Sequence, residues 1–488
     1  MTTNTDLSFG EWMPDMPDIA NPGVTLAQNV IPHVGGYRQF SALATNSSAL
    51  TTAAIGAASF SDDSGNTESY AGITQKLYRL QDATWADKSG ATYATGNEGY
   101  WEFLKWGQGV IATNFADPVQ YKTMGAGTNF ADLSGSPPKA YHIGAVQNFV
   151  VLGNINDGTH YADTIAWSGF NAETNWGNPN PATQSDRQKL AGDGGDVQAI
   201  LGGDVGVIFT ERSIWTMEYV GPPLIFQLKE VSVGVGTPAP RTCVRHGNSV
   251  FFYGEDGFYR YDIGRGLTQI GHSKVNLWFA DRVSKDNYHK ITAAIDVPNS
   301  KVAWGYPTGG GNPDEILFYD WQTDQWSYAE QDHEVLFLGR AQGVTLAGLD
   351  AYGNLDTLTL SFDADAWKGG ALALYGFFTD HKSGVFNGAA KTARIETQEL
   401  ASPDGQKLLL NEVRPLVQGV GTGTNTVYLG TRNVLDENYA FGSGVTANAI
   451  GSHPVRSSAR YHRIRCDIAG GFQRAIGVRV NAIPNGER

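Results

Sequence analysis

A short apolar run with valine in its second place recurs along the middle of the chain. It reads Gly109-Val110-Ile111-Ala112, Phe149-Val150-Val151-Leu152, Gly206-Val207-Ile208-Phe209 and Ser249-Val250-Phe251-Phe252. It returns as Lys301-Val302-Ala303-Trp304 and Gly343-Val344-Thr345-Leu346. The valines at 110, 150, 207, 250, 302 and 344 are separated by 40, 57, 43, 52 and 42 residues. Periods of roughly 40–50 residues are those of propeller blades. A turn signal precedes each run: Gly107-Gln108, Gln147-Asn148, Gly203-Asp204, Gly247-Asn248, Pro298-Asn299 and Gln342. A turn followed by a continuous apolar strand predicts a hairpin. A third strand follows, as in Ile165 to Ser168, Ile214 to Met217, Phe258 to Tyr261 and Leu317 to Trp321, and a fourth ends near Trp176, Phe226 or Trp326. Four short antiparallel strands make one blade.

A looser unit precedes these, with strands expected at Ala54–Phe60, Ser69–Ile73, Lys76–Leu80 and Ala83–Ala86. With it the count is about seven blades. The fold class expected is all-β: a β-propeller over 48–368, a β-sandwich or platform over 369–488, and an extended N-terminal arm over 1–47. In the arm, Pro14, Pro17, Pro22 and Pro32 forbid a long helix. Phe9, Trp12, Tyr37 and Phe40 stand there among acids and prolines with little periodicity to bury them. They are expected as partner-binding aromatics, with a strand packed on its own domain as the plainer alternative. In the last part, strands are expected at Ala393–Gln398, Lys407–Val413, Thr426–Leu429, Arg460–Ile468 and Ala475–Val480, with Asp404-Gly405 as a hairpin turn.

Composition agrees with this pattern. The chain has 488 residues, 60 of them Gly, with 11% aromatic and 17% charged. That mixture suits many short strands and tight turns and excludes a disordered chain. The formal net charge of −14 argues against a protein that grips nucleic acid through its phosphates. The basic residues Arg456, Arg460, Arg463, Arg465, Arg474 and Arg479 gather near the end, and period two puts Arg463 and Arg465 on one strand face. That face is either solvated or a contact for protein or nucleic acid. Cys243 and Cys466 lack metal-ligand spacing and read as free thiols made in a reducing compartment. No stretch has the ~18 apolar residues that a membrane helix needs, and the acidic N-terminus does not read as a secretory signal.

Candidate chemistry is sparse. Ser61 to Glu68 resembles a sialidase Asp-box once, with Glu68 in place of the tryptophan, and reads better as a turn. His142 and His160 stand alone without metal-ligand spacing. Asp193-Gly194-Gly195-Asp196 is too short for a calcium loop. There is neither a nucleophile elbow nor a phosphate-binding loop. No catalytic residue, cofactor or metal is expected.

Several segments carry a family resemblance. They are Ser8 to Asp15, Asn29 to Pro32 with Gly35 to Arg38, and Thr74 to Leu80. Thr210 to Trp215 with Tyr219 to Pro223 is the strongest, followed by Gly254 to Tyr259, Pro454 to Arg456 and Ala459 to Arg463. Together they resemble the ring-forming tail nozzle or hub proteins of short-tailed bacteriophages and prophages. The resemblance implies a non-enzymatic virion protein, made in the host cytoplasm and built into the tail. It implies a homo-oligomeric ring, usually a hexamer, below the portal and adaptor proteins. Such a ring extends and closes the channel for double-stranded DNA and carries tailspikes or fibres, with no membrane contact. The alternative is a glycan-binding or glycan-cleaving propeller of a tail or secreted apparatus.

Overall fold

The structure, a computed structural model, describes residues 3–177, 179–341, 370–402, 405–419 and 424–485. It is nearly all-β, with 53% strand and 4% helix. Seven four-stranded antiparallel blades follow one another around a ring. Blade one runs Gly56–Ser61, Thr67–Gly72, Leu77–Gln81 and Thr84–Asp87, close to the expected strands. Blade two spans Glu102–Trp106 to Ala131–Asp132, and blade three Lys139–Val146 to Asp186–Lys189. Blade four spans Val197–Leu201 to Ile225–Val233, blade five Val244–His246 to Gly266–Gln269, and blade six Thr292–Asp296 to Gln325–Glu330.

The valine runs are the second strands of blades two to six: Gly109–Thr113, Phe149–Asn156, Val205–Thr210, Ser249–Gly254 and Lys301–Tyr306. Each lies between two strands of its own blade and has a neighbouring blade on either face. Its side chains are therefore buried on both faces, and the run is continuous where a half-exposed strand would alternate. In blades two to six the expected turns sit at the first hairpins, and Gln342 lies outside the described residues. Gly107, Gln147 and Gly247 hold positive φ there, and so does Ser300 beside Pro298-Asn299. Trp176 is an exception, lying in the connection before Asp186–Lys189 rather than on a fourth strand.

Blade seven departs from the expected order. Its strands are Val335–Arg340, Leu372–Phe377 and Lys382–Val385, and the fourth, outermost strand is Ala44–Ala49 from the other end of the chain. The run at Gly343 to Leu346 lies outside the described residues, as does Asp404. The propeller thus reaches past 368 to Val385 and borrows a strand that straddles the 47/48 boundary. Closure rests on Gly384 passing against the borrowed strand. A Cβ there would lie 2.1 Å from the Ala44 carbonyl oxygen. The first strand of blade seven packs on that of blade one, completing the ring.

The C-terminal part is a two-sheet sandwich. One sheet orders Val30–His33, Gly36–Gln39, Arg474–Pro484, Leu408–Gln418 and His453–Ala459, with Thr3–Ser8 also paired to Arg474–Pro484. The other is continuous with blade six. From Gln325–Glu330 it passes through Leu26–Gln28 to Ala393–Glu396, Tyr461–Ile468 and Asn425–Arg432. Ile395, Leu410, Val413, Val427, Ile464, Cys466 and Val478 fill the space between the sheets.

The N-terminal segment is accordingly no free arm. Phe9, Trp12, Tyr37 and Phe40 are buried to 2%, 0%, 0% and 1% exposure, so the expectation of partner-binding aromatics fails. The Trp12 ring meets Trp278 edge-on at 4.7 Å and Tyr328 at 5.2 Å, and its indole N–H donates to the Thr25 carbonyl. The Tyr37 hydroxyl donates to the Gly10 carbonyl at 2.9 Å, and Phe40 packs between Phe318 and Phe386. What reads as irregular sequence is a set of short strands: Val30–His33 and Gly36–Gln39 form a hairpin, and Thr3–Ser8, Leu26–Gln28 and Gly36–Gln39 pair with strands hundreds of residues away.

Candidate functional site

The first strands of the blades line the ring axis. They leave a cavity of about 260 Å³ bordered by Ala57, Phe103, Ile143, Ile200, Ala293 and Leu336. At one end the axis opens into a larger cleft of about 900 Å³, lined by strand residues Tyr141, His142, Asn154, His160 and Gln198 and by loops beside the strands. Tyr100 and Pro240 border both spaces.

Polar groups concentrate where the two meet. Glu102, on the first strand of blade two, accepts from the Ile143 backbone N–H at 2.9 Å and lies 3.0 Å from His142 Nδ1. The Arg241 guanidinium lies 5.0 Å from the centre of the Tyr100 ring. Among the described residues it has no ion-pair or hydrogen-bond partner. Burial lowers its pKa to about 10, while Tyr100 and Glu102 act in the opposite sense. Burial pushes the Tyr100 hydroxyl and the Cys243 thiol well above their usual ranges, so neither ionises near neutrality.

The outer wall of the cleft is aromatic. Phe115 stacks on Tyr141 at 3.9 Å with an 11° interplanar angle, and His160 meets Phe115 edge-on at 5.0 Å. His160 Nε2 is 2.6 Å from Asn154 Oδ1. Phe115 has φ +65° and Asn154 φ +55°. Such a conformation is uncommon for any residue with a Cβ and is an outlier for one as bulky as phenylalanine. His142 and His160, solitary in the sequence, thus share one cleft. Nothing in the local pattern marked Phe115 or Arg241. Among the described residues no His, Cys, Asp or Glu group is arranged to hold a metal ion, and Cys243 and Cys466 are free thiols.

The other sequence-derived residues, Arg463 and Arg465, lie on the sandwich sheet far from the axis in sequence and pairing. Along Tyr461–Ile468 buried and half-buried positions alternate, with both arginines on the half-buried side as period two requires. Arg463 pairs with Asp18 and stands 4.2 Å over Tyr439; Arg465 reaches Asp467 at 3.4 Å and stands 4.2 Å over Tyr428. Arg432 pairs with Glu399 and Asp18, and Arg394 with Asp467 at 3.2 Å. Glu396, whose carboxyl is raised chiefly by burial, lies 3.9 Å from Arg463. Carboxylates answer these guanidiniums within the chain, and the face is neither an open solvated patch nor a free basic stripe. The Asp-box-like segment is a turn: Asp62 Oδ1 accepts from the Ser64 and Asn66 backbone N–H groups at 2.9 and 2.8 Å.

No protein-family profile matches the chain, and no curated protein matches it. Solved structures show distant likenesses. The computationally designed Ika8 protein aligns with a TM-score of 0.38 at 13% identity, over 71% of this chain and 99% of its own. The extracellular domain of a one-component system protein from B. thetaiotaomicron aligns with a TM-score of 0.40 at 10% identity, over 85% of this chain. The chain spans about half of that second protein, 46% of its length. Neither likeness bears on function.

Proposed function

We propose that this chain is a structural, non-catalytic subunit of a ring, the tail nozzle or hub of a short-tailed bacteriophage particle. In that role it sits below the portal and adaptor proteins, extends and closes the DNA channel, and offers seats to tailspikes or fibres. The observation that carries the reading is a long hairpin on blade four, Ser213–Gly221 with Ile225–Val233. At its tip it exposes Val220 by 47% and Leu224 by 63%, beside Phe170 of the adjoining blade at 46%. Apolar side chains gathered in this way mark contact surfaces. The hairpin also carries Tyr219 to Pro223, part of the segment in which the family resemblance is strongest.

A closed ring needs two different surfaces on each subunit, held at a fixed angle. The sheet shared by blade six and the sandwich supplies that rigidity. The axial cavity of about 260 Å³ is far too small for duplex DNA, whose major groove alone is about 12 Å wide. In this reading the DNA conduit is the lumen between subunits, and the propeller axis is not part of it. The paired arginines of the sandwich suit a wall that lets phosphates slide.

Electron microscopy of the chain assembled with its portal and adaptor tests the proposal. The expected image is a closed ring, six-fold by resemblance, at the tail position. A Val220→Asp, Leu224→Asp variant should remain folded and fail to join the ring. A protein that stays monomeric beside portal and adaptor, or a charged variant that assembles normally, overturns it. The aromatic wall of the axial cleft favours one second reading, a glycan-binding propeller.

A further inference from the structure

We infer that the axial cleft is a binding site for an acidic saccharide, a pyranose carrying a carboxylate, with the Phe115–Tyr141 pair as its platform and Arg241 at its inner end. This deepens the saccharide reading and is independent of the ring.

Three observations carry it. The first is the platform. Two rings stacked at 3.9 Å, each half-buried, form the wall of a cleft of about 900 Å³. A sugar has an apolar face of C–H groups that packs on such a surface, and aromatic side chains offer large area at little entropic cost. The second is strain. Phe115, which borders this cleft, is left-handed, a conformation that Asn154 on the same cleft adopts readily but a bulky ring does not. Strained residues persist where the surrounding structure holds a geometry in place, and they gather at ligand sites.

The third is a surplus of unused polar groups. The side chains of Asp196, Gln198 and His289 border the cleft and make no hydrogen bond or ion pair among the described residues. A ligand rich in hydroxyls offers each of them a partner, as donor or acceptor. Arg241 adds the need for an anion. It is a planar five-donor fork that lines the axial cavity at the inner end of the cleft, beside the Tyr100 ring that borders both spaces and within the field of Glu102. A carboxylate is the group that such a fork binds bidentately. Glu98, Asp196 and Asp286 on the outer walls oppose every anion, a multiply charged phosphate ester most of all, so a single carboxylate is accommodated only at the Arg241 end.

The test is calorimetric titration of the full chain with sialylated and uronate-containing oligosaccharides and with neutral oligosaccharides of the same length. Binding of the acidic set is expected. Phe115→Gly should weaken it by about tenfold, through loss of the stacked ring. Glycine adopts the left-handed backbone freely, so this variant removes the Phe115 ring and leaves Tyr141 in place, and a melting curve that stays cooperative verifies the fold. Arg241→Gln should abolish the preference for acidic over neutral sugars. The inference is overturned if no acidic oligosaccharide binds, if Phe115→Gly binds as tightly as the parent, or if acidic and neutral sugars bind alike. Ring formation is read separately by microscopy, so the two proposals fail separately.

Discussion

Replacing Trp12 by alanine separates a structural N-terminal segment from a docking one. The indole is fully buried, touches Trp278 and Tyr328, and donates to the Thr25 carbonyl. A buried tryptophan hides about 150–250 Å². At ~25 cal/mol per Å² that amounts to about 4–6 kcal/mol, an upper bound because the denatured chain already hides part of it. Two aromatic contacts and one orphaned carbonyl add about 1–2 kcal/mol, and partial collapse of the cavity removes a similar amount, so about 4 kcal/mol is the expected loss. Urea denaturation followed by near-ultraviolet circular dichroism reads it as an earlier midpoint for the unit containing the sandwich. Trp12→Phe should recover more than half of the loss. If Trp12→Ala unfolds at the parent's urea concentration yet no longer joins a particle, the side chain serves a partner and the structural account is wrong.

Three further outcomes are expected. Gly384→Ala should loosen the ring closure by about 1–3 kcal/mol, since its Cβ meets the Ala44 carbonyl at 2.1 Å; limited proteolysis should then cut near Ala44–Ala49, and an unaltered digest would contradict the closure. His333 is fully buried, and burial lowers its pKa to about 4. The unfolded chain takes up that proton near pH 6.5, so this contribution to stability is complete above ~6.5 and is lost as pH falls towards 4, by up to about 3 kcal/mol; buried His462, lowered to about 4 in the same way, adds a slope of the same sign, so an unfolding free energy flat from pH 7 to 4.5, or a slope that His333→Gln leaves undiminished, would refute it. Duplex DNA should bind poorly even in low salt, because the net charge is −14 and Asp18, Glu396, Glu399 and Asp467 already answer Arg394, Arg432, Arg463 and Arg465; tight binding that salt reverses would show an open nucleic-acid site, with the exposed Arg456 and Arg460 as its first candidates.

The blades were legible in the sequence because their second strands are buried on both faces, which makes a continuous apolar run, and because tight turns demand Gly, Asn or Pro next to it. The strands at the start of the chain were not. Thr3 faces Ala482, Gln28 faces Tyr328 and Tyr37 faces Ala475, and strands of three to six residues carry too few positions to display a period. Ala44–Ala49 hides for the same reason, its partner being Lys382–Val385. The axial cleft was illegible for a different reason. Tyr141 and His160 lie on the first and third strands of blade three and Phe115 on a connection of blade two, and only the packing of the two blades brings the three together at one end of the axis. The period-two rule did place Arg463 and Arg465 together, while their carboxylate partners came from Asp18 and Glu396, residues no local pattern links to them.

The borrowed strand has a consequence for the order in which the molecule can be made. Ala44–Ala49 leaves the ribosome early, and the strand it pairs with, Lys382–Val385, comes much later. At roughly 5–20 residues per second that interval is tens of seconds. During it blades one to six emerge and stack in turn, while the outer strand of the seventh waits with its hydrogen-bonding edge bare. Thr3–Ser8 waits longer still, for Arg474–Pro484. A nascent strand left unpaired is an invitation to the same strand on a neighbouring chain. The small, polar sequence Ala44-Thr45-Asn46-Ser47-Ser48-Ala49 is a safeguard against that: it is a weak strand former on its own, and its ladder partner comes only with its own last blade.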